Sequence, residues 1–357
     1  MVDLMKKDNI FSRIDGNTKQ LAVINLCIFL LFAFLRPNQF LSIANLDSMS
    51  FQLAEPGLFT LGIAITMLTA GADLSIVSVA NLVATVSGII LLNVMPADAS
   101  DSTVVMYLVL CFVIAIMIGL VCGALNGLLI AKLGIFPILA TLGTQNLFTG
   151  ISTILTKGQG VFGTFPPALA YIGGGKLFGV VPIPLLIFLI ALIFVAIIIH
   201  RTPYGLKTQW FGSNRKASYY SGIDNVGTVF KTYLLASLLG ALAGIIILAR
   251  TNSAKYDYGT SYVIQAMLAS VLAGISPLGG KGRIMNIFLS VFAIQMLDSG
   301  FNFMRISSFV RSSTYGILLI ISVAVGYYTN RLTQRRDVQR ANLKASKEPV
   351  EYKHQDK

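Results

Sequence analysis

The chain has 357 residues, of which 55% are hydrophobic and only 12% are charged, and its mean hydropathy is +0.75. This composition excludes an ordinary soluble enzyme, in which about a quarter of the residues are charged. The apolar runs are continuous rather than alternating, which excludes a transmembrane β-barrel, and the three cysteines lack the spacing of a zinc site or a disulfide framework.

The apolar runs predict an all-α polytopic membrane protein. One bilayer crossing needs about 20 apolar residues, so the chain has room for about ten helices. We expect a transmembrane domain at 20–330, preceded by a cytoplasmic segment at 1–19 and followed by a polar, basic cytoplasmic tail at 331–357. The predicted spans, some of them short or interrupted, are 20–35, 57–70, 76–95, 104–131, 135–155, 180–199, 229–249, 262–279, 284–303 and 309–329.

The distribution of charge predicts the orientation of these spans. If both termini lie in the cytoplasm, 20 of the 27 Lys and Arg residues fall on inside segments. Membrane proteins concentrate basic residues on that side. The net charge of +12 is therefore explained by the orientation of the chain in the membrane. The expected partner is the lipid bilayer, and no nucleic-acid partner is expected.

Three segments interrupt the apolar pattern, and the first lies at 70–75. Here Gly71, Asp73 and Ser75 directly follow an apolar span. A carboxylate at the centre of a membrane costs about 2.5–3.5 kcal/mol on insertion scales, which favours a functional role. Alternatively, Asp73 caps the next helix by accepting backbone N–H groups, and the two interpretations are compatible.

The second segment lies in the longest inside loop, at 200–231. Its residues predict a short helix from Arg215 to Tyr220, stopped by Gly222. Small residues leave the backbone accessible and tyrosines offer contact area, which is typical of docking, whereas the alternative is a solvated basic loop. We assign to the docking contact Gly212, Asn214, Arg215, Ala217, Ser218, Ser221, Gly222 and Ile223.

The third segment, 273–283, combines four glycines and a proline. It resembles a phosphate-binding loop, but Ile275 and Gly282 occupy positions that the Walker A pattern reserves for Gly and for Ser or Thr. ATP hydrolysis by this chain is therefore not expected. Like the first segment, it has Ala-Gly followed by Ser after a short span, which favours an internal repeat around a central pathway. Its candidate residues are Gly274, Ser276, Gly279 and Gly280.

At these segments the sequence resembles the permease subunits of bacterial ATP-binding-cassette importers for monosaccharides, the ribose, xylose and galactose branch. Family members carry Gly-Gly-Ile-Asp-Leu-Ser where this chain has 70–75. They carry Gly-Leu-Ile-Asn-Gly-Leu-Leu-Ile and Pro-Phe-Ile-Val-Thr-Leu-Gly-Thr where it has 123–130 and 137–144. The blocks at 204–205, 212–223 and 274–282 follow in the family's order, so the resemblance covers about 55–330.

The resemblance implies a subunit of the bacterial plasma (inner) membrane that has no enzymatic activity and needs no cofactor or metal. It would work with a second permease subunit, identical or different, with two cytosolic ATPase subunits that use the ATP, and with an extracytoplasmic solute-binding protein. The segment 214–223 would then be the coupling helix that enters the ATPase groove.

The chain departs from the family at three places. Arg215 stands where an acidic residue is common, and Ser218 replaces an alanine. The family's Tyr-Glu-Leu-Asp appears at 262–265 as Tyr-Val-Ile-Gln, so both carboxylates are absent. This permits a heterodimer, and it leaves the solute open between a ribose-like sugar, which we favour, and a sugar-derived signalling molecule, a nucleoside or a furanose.

A neutral polar solute needs hydrogen-bonding groups along its pathway. The candidates are Asn126, Thr141, Thr144, Gln145 and Asn146. Hydrogen bonding between helices explains the same residues equally well. A secondary transporter would need carboxylates that carry coupling ions, and only Asp73 qualifies. A membrane enzyme would need clustered catalytic groups, whereas His200 and His354 are the only histidines.

Overall fold

The computed structural model describes residues 16–96 and 98–345, with side chains described as far as 328. Helices dominate it. In chain order they are α1 (Gly16–Leu35), α2 (Pro37–Phe40), α3 (Ile43–Gln52), α4 (Ala54–Leu68), α5 (Ile76–Ile89), α6 (Asp101–Gly127), α7 (Pro137–Thr156), α8 (Pro167–Gly174), α9 (Ile183–Arg201), α10 (Pro203–Ser213), α11 (Arg215–Tyr220), α12 (Asn225–Thr251), α13 (Tyr262–Leu272), α14 (Asn286–Phe303) and α15 (Ser308–Ala345). Single π-helical turns extend α5 (Ile90–Val94) and α6 (Leu128–Lys132).

Eight helical segments in the described part of the chain are long and apolar enough to cross a membrane. They confirm the prediction of a polytopic helical membrane protein. Two of the ten predicted spans fall outside this set. The span at 262–279 contains α13, whose 11 residues cover about 16 Å, and the span at 284–303 corresponds to α14.

Helix α12 lies at the centre of the bundle and packs against α4, α5 and α6. Glycines allow the close approach. A Cβ at Gly123 of α6 would lie 2.8 Å from the Cα of Leu234, and a Cβ at Gly244 of α12 would overlap the carbonyl O of Ala80. Because lipid supplies no hydrophobic force between helices, small residues at such contacts provide the packing that holds the bundle together.

The two ends of the bundle differ. At one, which we call the α11 end, the last residue of α4, the segment 273–283, which we call the second break, and helices α10 and α11 lie together. At the other, the strand end, two ladders of two-residue strands close the loops. β1 (Val161–Phe162) pairs with β4 (Ser253–Ala254), and β2 (Lys176–Leu177) pairs with β3 (Val181–Pro182), both antiparallel.

Helices α3 and α8, at the strand end, were not predicted, nor was the single turn α2. Helix α3 is polar, and its N-cap Ser42 accepts a hydrogen bond from the backbone N–H of Asn45. The Asn45 side chain is buried and accepts a hydrogen bond from Ser299 of α14 at 2.7 Å. Hydropathy misses such a helix because its polar groups bond to a neighbouring helix. The short helix α8 lies within the predicted loop between α7 and α9.

The predicted N-terminal segment lies mostly outside the described residues, which begin with α1 at Gly16. At the other terminus, α15 continues to Ala345, so the first half of the predicted tail is helical. Residues 346–357 are also outside the described part of the chain.

A buried ion pair joins α4 and α12 at the strand end. The Arg250 guanidinium donates from Nε to Glu55 Oε1 at 2.6 Å and from Nη2 to Oε2 at 3.0 Å. Glu55 is fully buried. The Tyr258 hydroxyl also accepts from Arg250, and burial together with Glu55 raises its pKa, so it stays neutral.

We predict that Arg250→Met destabilises the protein by about 3–5 kcal/mol, because it leaves the buried Glu55 carboxylate without its partner. The double substitution Glu55→Gln with Arg250→Met should recover most of that loss. Thermal unfolding of the purified protein in detergent measures both. Lys176→Met is the control, because its partner Asp47 is 36% exposed and such a pair contributes about 0–1 kcal/mol. Equal losses for Arg250→Met and Lys176→Met would contradict the prediction.

Candidate functional site

Helix α11 forms with the bounds that the sequence predicts. Asn214 is its N-cap, and its Oδ1 accepts a hydrogen bond from the backbone N–H of Ala217 at 3.0 Å. At the other end, Ile223 N donates to Ser218 O and Gly222 N donates to Tyr219 O. This is a Schellman motif, which needs a left-handed residue, and Gly222 has φ +76.

Helix α11 exposes aromatic and basic side chains, and contacts with α10 and α12 hold it in place. Tyr219 and Tyr220 are 69% and 85% exposed. The Arg215 guanidinium lies over the Phe211 ring of α10, 4.9 Å from its centroid. Ser218 is buried and donates to Asn225 Oδ1 at 2.7 Å, which ties α11 to the start of α12. The serine that departs from the family's alanine therefore has a structural role.

The remaining residues of the predicted docking contact lie around this helix. Ser221 donates to the carbonyl O of Ala217 at 2.9 Å, Ile223 is buried, and Gly212 is in the last turn of α10. All eight predicted residues thus fall within one compact segment at the α11 end.

The first break, residues 70–75, begins with a Schellman motif at the end of α4. Gly71 N donates to Thr66 O and Ala70 N to Met67 O, and Ala70 adopts φ +56. The second break begins in the same way, because Ile275 N donates to Ser270 O and Gly274, at φ +84, donates to Val271 O. The backbone motif therefore aligns Ala70 with Gly274, one position away from the Ala-Gly match in the sequence.

Asp73 is fully buried and forms the start of a chain of hydrogen bonds. Its Oδ1 accepts from the backbone N–H of Ser75 at 2.9 Å and from the Ser75 hydroxyl at 2.6 Å. Ser75 Oγ accepts from Asn126 Nδ2 at 2.8 Å, and Asn126 Oδ1 accepts from Thr144 at 2.6 Å. Each donor points towards the carboxylate, so the chain stabilises its charge. The bond to Ser75 N closes a turn just before α5, whose N-cap is Ser75 and has no side-chain cap bond, so Asp73 holds the turn that precedes the helix.

Two polar atoms near this chain have no hydrogen-bond partner among the described residues: Asp73 Oδ2 and the hydroxyl O of Tyr233. Both side chains are buried, and Tyr233 lies against Gly71 of the first break. Thr141 closes the cluster, since its hydroxyl donates to the carbonyl O of Ala72 at 3.2 Å. Sequence reasoning missed Tyr233 because it lies in an ordinary apolar helix.

The second break is held by contacts with three other segments. Asn17 of α1 donates to Ala273 O at 2.9 Å, and His200 Nε2, at the end of α9, accepts from Ile284 N at 3.1 Å. Gly280 N donates to Leu68 O, the last carbonyl of α4, at 3.0 Å. The two breaks that the sequence relates as a repeat are thus in direct contact. The role of His200 carried no sequence signal beyond its being one of two histidines.

The last two predicted polar residues lie apart from the buried chain. Gln145 is half-buried on α7, and Asn146, at the middle of this 20-residue helix, is exposed. Gly143 and Gly150 share the face of Asn146, since they lie three and four residues away, and nothing lies within 4 Å of either position's Cβ. Within the described part of the chain, the Asn146 amide makes no polar contact.

A cavity of about 450 Å³ lies beyond the last turn of α7, at the strand end. It is lined by Gln159, Phe162, Lys255, Tyr256 and Asp257, together with two glycines. Such a mixture of aromatic and hydrogen-bonding groups suits a small polar molecule. Among the described residues, no group of three His, Cys, Asp or Glu side chains could hold a metal ion.

A polytopic helical bundle with two helix breaks in contact and a short exposed helix at one end has the architecture of a transport subunit. Comparison with known families agrees: residues 45–323 match the family described as the permease component of the branched-chain amino acid transport system. The chain belongs to this family.

Curated relatives share much of the chain. The ribose import permease protein RbsC of Bacillus subtilis is 33% identical over 298 residues, covering 83% of this chain and 88% of the relative. RbsC of Haemophilus influenzae is 29% identical over 87% of this chain and 93% of its own. The autoinducer 2 import system permease protein LsrD of Photorhabdus laumondii is 34% identical over 59% of this chain and 64% of its own. No solved structure matches.

Family membership confirms several predictions. The protein is a permease subunit of an ATP-binding-cassette importer, it is not an enzyme, and it resides as a multi-pass protein in the bacterial inner membrane. Its family works with ATPase and solute-binding partners.

We predict that Asn126→Leu lowers stability by about 1–3 kcal/mol, because it leaves the buried hydroxyls of Ser75 and Thr144 without their shared partner. Thermal unfolding in detergent measures the loss. Asn93→Leu is the matched control, since Asn93 is exposed near the strand end. If both variants unfold at the wild-type temperature, the hydrogen-bond chain does not hold α5, α6 and α7 together.

Proposed function

We propose that the protein imports a ribose-like monosaccharide, as one of two permease subunits that form the pathway between them. The observation that carries this proposal is the exposed face of α7. An amide at the midpoint of a membrane-spanning helix is unfavourable against lipid, because hydrocarbon offers it no hydrogen bond. Asn146 therefore calls for a polar pathway or a second subunit on that face.

Glycines support the same use of α7. Gly143 and Gly150 leave its backbone open on either side of Asn146, which allows a second helix or a solute to approach closely. The residues that follow α7 at the strand end, 158–160, line the cavity beside Lys255 and Asp257. In contrast, Asp73, Ser75, Asn126, Thr141 and Thr144 are buried within one protomer, and we propose that they hold the pathway helices in position rather than line the pathway.

The proposed topology has ten crossings with both termini in the cytoplasm. It adds α13 and α14 to the eight long spans, with the second break completing the short crossing of α13. The α11 end then faces the cytoplasm, which is supported by its basic residues Lys207, Arg215, Lys216 and Lys281. The strand end faces outwards, towards the solute-binding protein.

The proposed contact with the ATPase is α11. It is short, capped at both ends and anchored through Ser218, so it is a rigid projection, and its two tyrosines are free to enter a groove. Two permease subunits would contact two ATPase subunits. Closure of the ATPase pair upon ATP binding would move α11, and the permease pair would change the side to which its cavity opens.

A ribose-like solute is supported by the names of the relatives, since two RbsC proteins match over 83% and 87% of this chain. The LsrD proteins match over a smaller part, 59% for the one from Photorhabdus laumondii, so autoinducer 2 is the second candidate. Replacement of the family's two carboxylates at 263–265 permits a partner permease that retains them.

Uptake by proteoliposomes tests the proposed function. Vesicles with the permease, its ATPase and its binding protein should accumulate labelled ribose only when ATP is present, and labelled autoinducer 2 should not compete at equal concentration. Omission of the ATPase is the control. Accumulation without the ATPase, driven by an ion gradient, would contradict primary transport, and selective accumulation of autoinducer 2 would contradict the proposed solute.

We predict that Gly222→Val abolishes ribose uptake but leaves membrane insertion intact. A β-branched residue disfavours φ +76, so the Schellman motif opens and α11 loses its fixed position against the ATPase. Uptake and ATPase activity stimulated by the binding protein measure the effect. Gly174→Val is the control, because nothing lies within 4 Å of that position and its φ is not positive. Wild-type uptake by Gly222→Val would count against α11 as the coupling contact.

We predict that Asn146→Leu lowers uptake by about tenfold, the equivalent of one lost hydrogen bond of about 1.4 kcal/mol, without lowering thermal stability. The control is Leu147→Asn at the neighbouring position, because Leu147 is 50% exposed and has no hydrogen bond to lose. Labelled-ribose uptake and unfolding temperature are measured together. A drop in stability with unchanged uptake would place Asn146 outside the pathway.

A further inference from the structure

Three segments meet at the α11 end mainly through backbone atoms, with the Cβ of Ala70 and the Ser213 hydroxyl as the nearby side-chain atoms. The first is the end of α4, where Leu68 O accepts from Gly280 N at 3.0 Å. The second segment is the second break, to which Gly280 belongs. The third is the last turn of α10, in which Gly212 lies against both of the others. We call Gly212, Gly279 and Gly280 the glycine junction.

The contacts at the glycine junction leave no room for a Cβ atom. At Gly212 a Cβ would overlap Leu68 O and would lie 2.5 Å from Gly280 N. At Gly279 it would lie 2.8 Å from Gly212 O and 2.9 Å from the Cβ of Ala70, in the first break. At Gly280 it would overlap the Ser213 hydroxyl. The backbone at the end of α10 is therefore in direct contact with the end of α4, which leads into the first break, and with the second break.

Helix α11 follows directly after this end of α10. Only Asn214 separates the two helices, and the stacking of Arg215 on Phe211 ties them together. Phe211 is itself buried in a cluster with Val229 and Tyr233 of α12. A displacement of α11 is thus passed to α10 with little freedom for the two helices to move separately.

We propose that the glycine junction transmits movement of α11 to both helix breaks at once. This rests on the proposed contact of α11 with the ATPase. Side chains at a contact absorb small shifts by changing rotamer, whereas backbone against backbone does not, because packed interiors switch between discrete arrangements rather than deform. The three glycines are positioning residues: they act through their backbone contacts, which make α4 and the α13–α14 break respond as one unit.

Substitution of Gly212 by alanine in the full transporter tests the proposal. Gly212→Ala should lower ribose uptake by about tenfold or more, in the range of measured coupling effects. Stimulation of ATP hydrolysis by the binding protein should be lost in the same variant. Gly316→Ala is the matched control, since nothing lies within 4 Å of that position.

A spin-label distance checks the proposal without burying a new side chain. Trp210 and Leu278 are 52% and 75% exposed, so Trp210→Cys and Leu278→Cys accept labels in a background with Cys27→Ser. Their separation should change by less than about 2 Å between the nucleotide-free and vanadate-trapped transporter, as expected for elements that move together. A larger change overturns the proposal, as does normal stimulation of Gly212→Ala.

The two proposals fail in different ways. If α11 does not contact the ATPase, Gly222→Val transports normally. If α11 is the contact but the glycine junction does not transmit its movement, Gly222→Val is uncoupled while Gly212→Ala transports normally.

Discussion

The structure depends on one constraint: the backbone of a broken helix inside a membrane protein must find its hydrogen bonds within the protein. Hydrocarbon supplies none, and each unpaired N–H or C=O group costs several kcal/mol. The first break meets this demand with Thr66, whose hydroxyl accepts from Asp73 N at 3.1 Å, and with Thr141, which donates to Ala72 O. The second break bonds to itself, through Ser276 N and Lys281 O at 2.9 Å, and to the end of α4.

The architecture of the site follows from how these bonds are shared. Because Gly280 uses Leu68 O, the two breaks form one unit, and α10 is held against that unit through Gly212. On the other side, the chain from Thr144 through Asn126 and Ser75 fixes α6 and α7 to the first break. Helix α7, which bears the exposed Asn146, is therefore connected through Asp73 to α10, the helix that directly precedes α11.

Much of this was predictable from the sequence where the signal is local. The short helix α11 is specified by Asn214 and Gly222, a cap and a left-handed stop, within ten residues. The membrane-spanning helices are specified by continuous apolar runs, and the breaks by glycines beside polar groups. Such features depend on nearest neighbours in the chain, so the sequence alone carries them.

Features that depend on distant partners were not predictable. Glu55 and Arg250 are 195 residues apart, and the sequence offers each of them other partners. Helix α3 has too many polar residues for a hydropathy signal, and the hydrogen bond of its buried Asn45 depends on α14. The contact between the two breaks depends on the complete bundle. The burial of Asp73, Asn126 and Thr144, against the exposure of Asn146, likewise depends on how α5, α6 and α7 pack.

The central claim is that α11 is the surface through which the ATPase acts on this permease. Photo-crosslinking measures it directly, with a photoreactive phenylalanine analogue at Tyr220 and, as the control, at Phe178 of the strand end, which is 91% exposed. In the assembled transporter, illumination should join the Tyr220 position to the ATPase subunit and the Phe178 position to none. An intact complex that gives no ATPase adduct from Tyr220 would contradict the account.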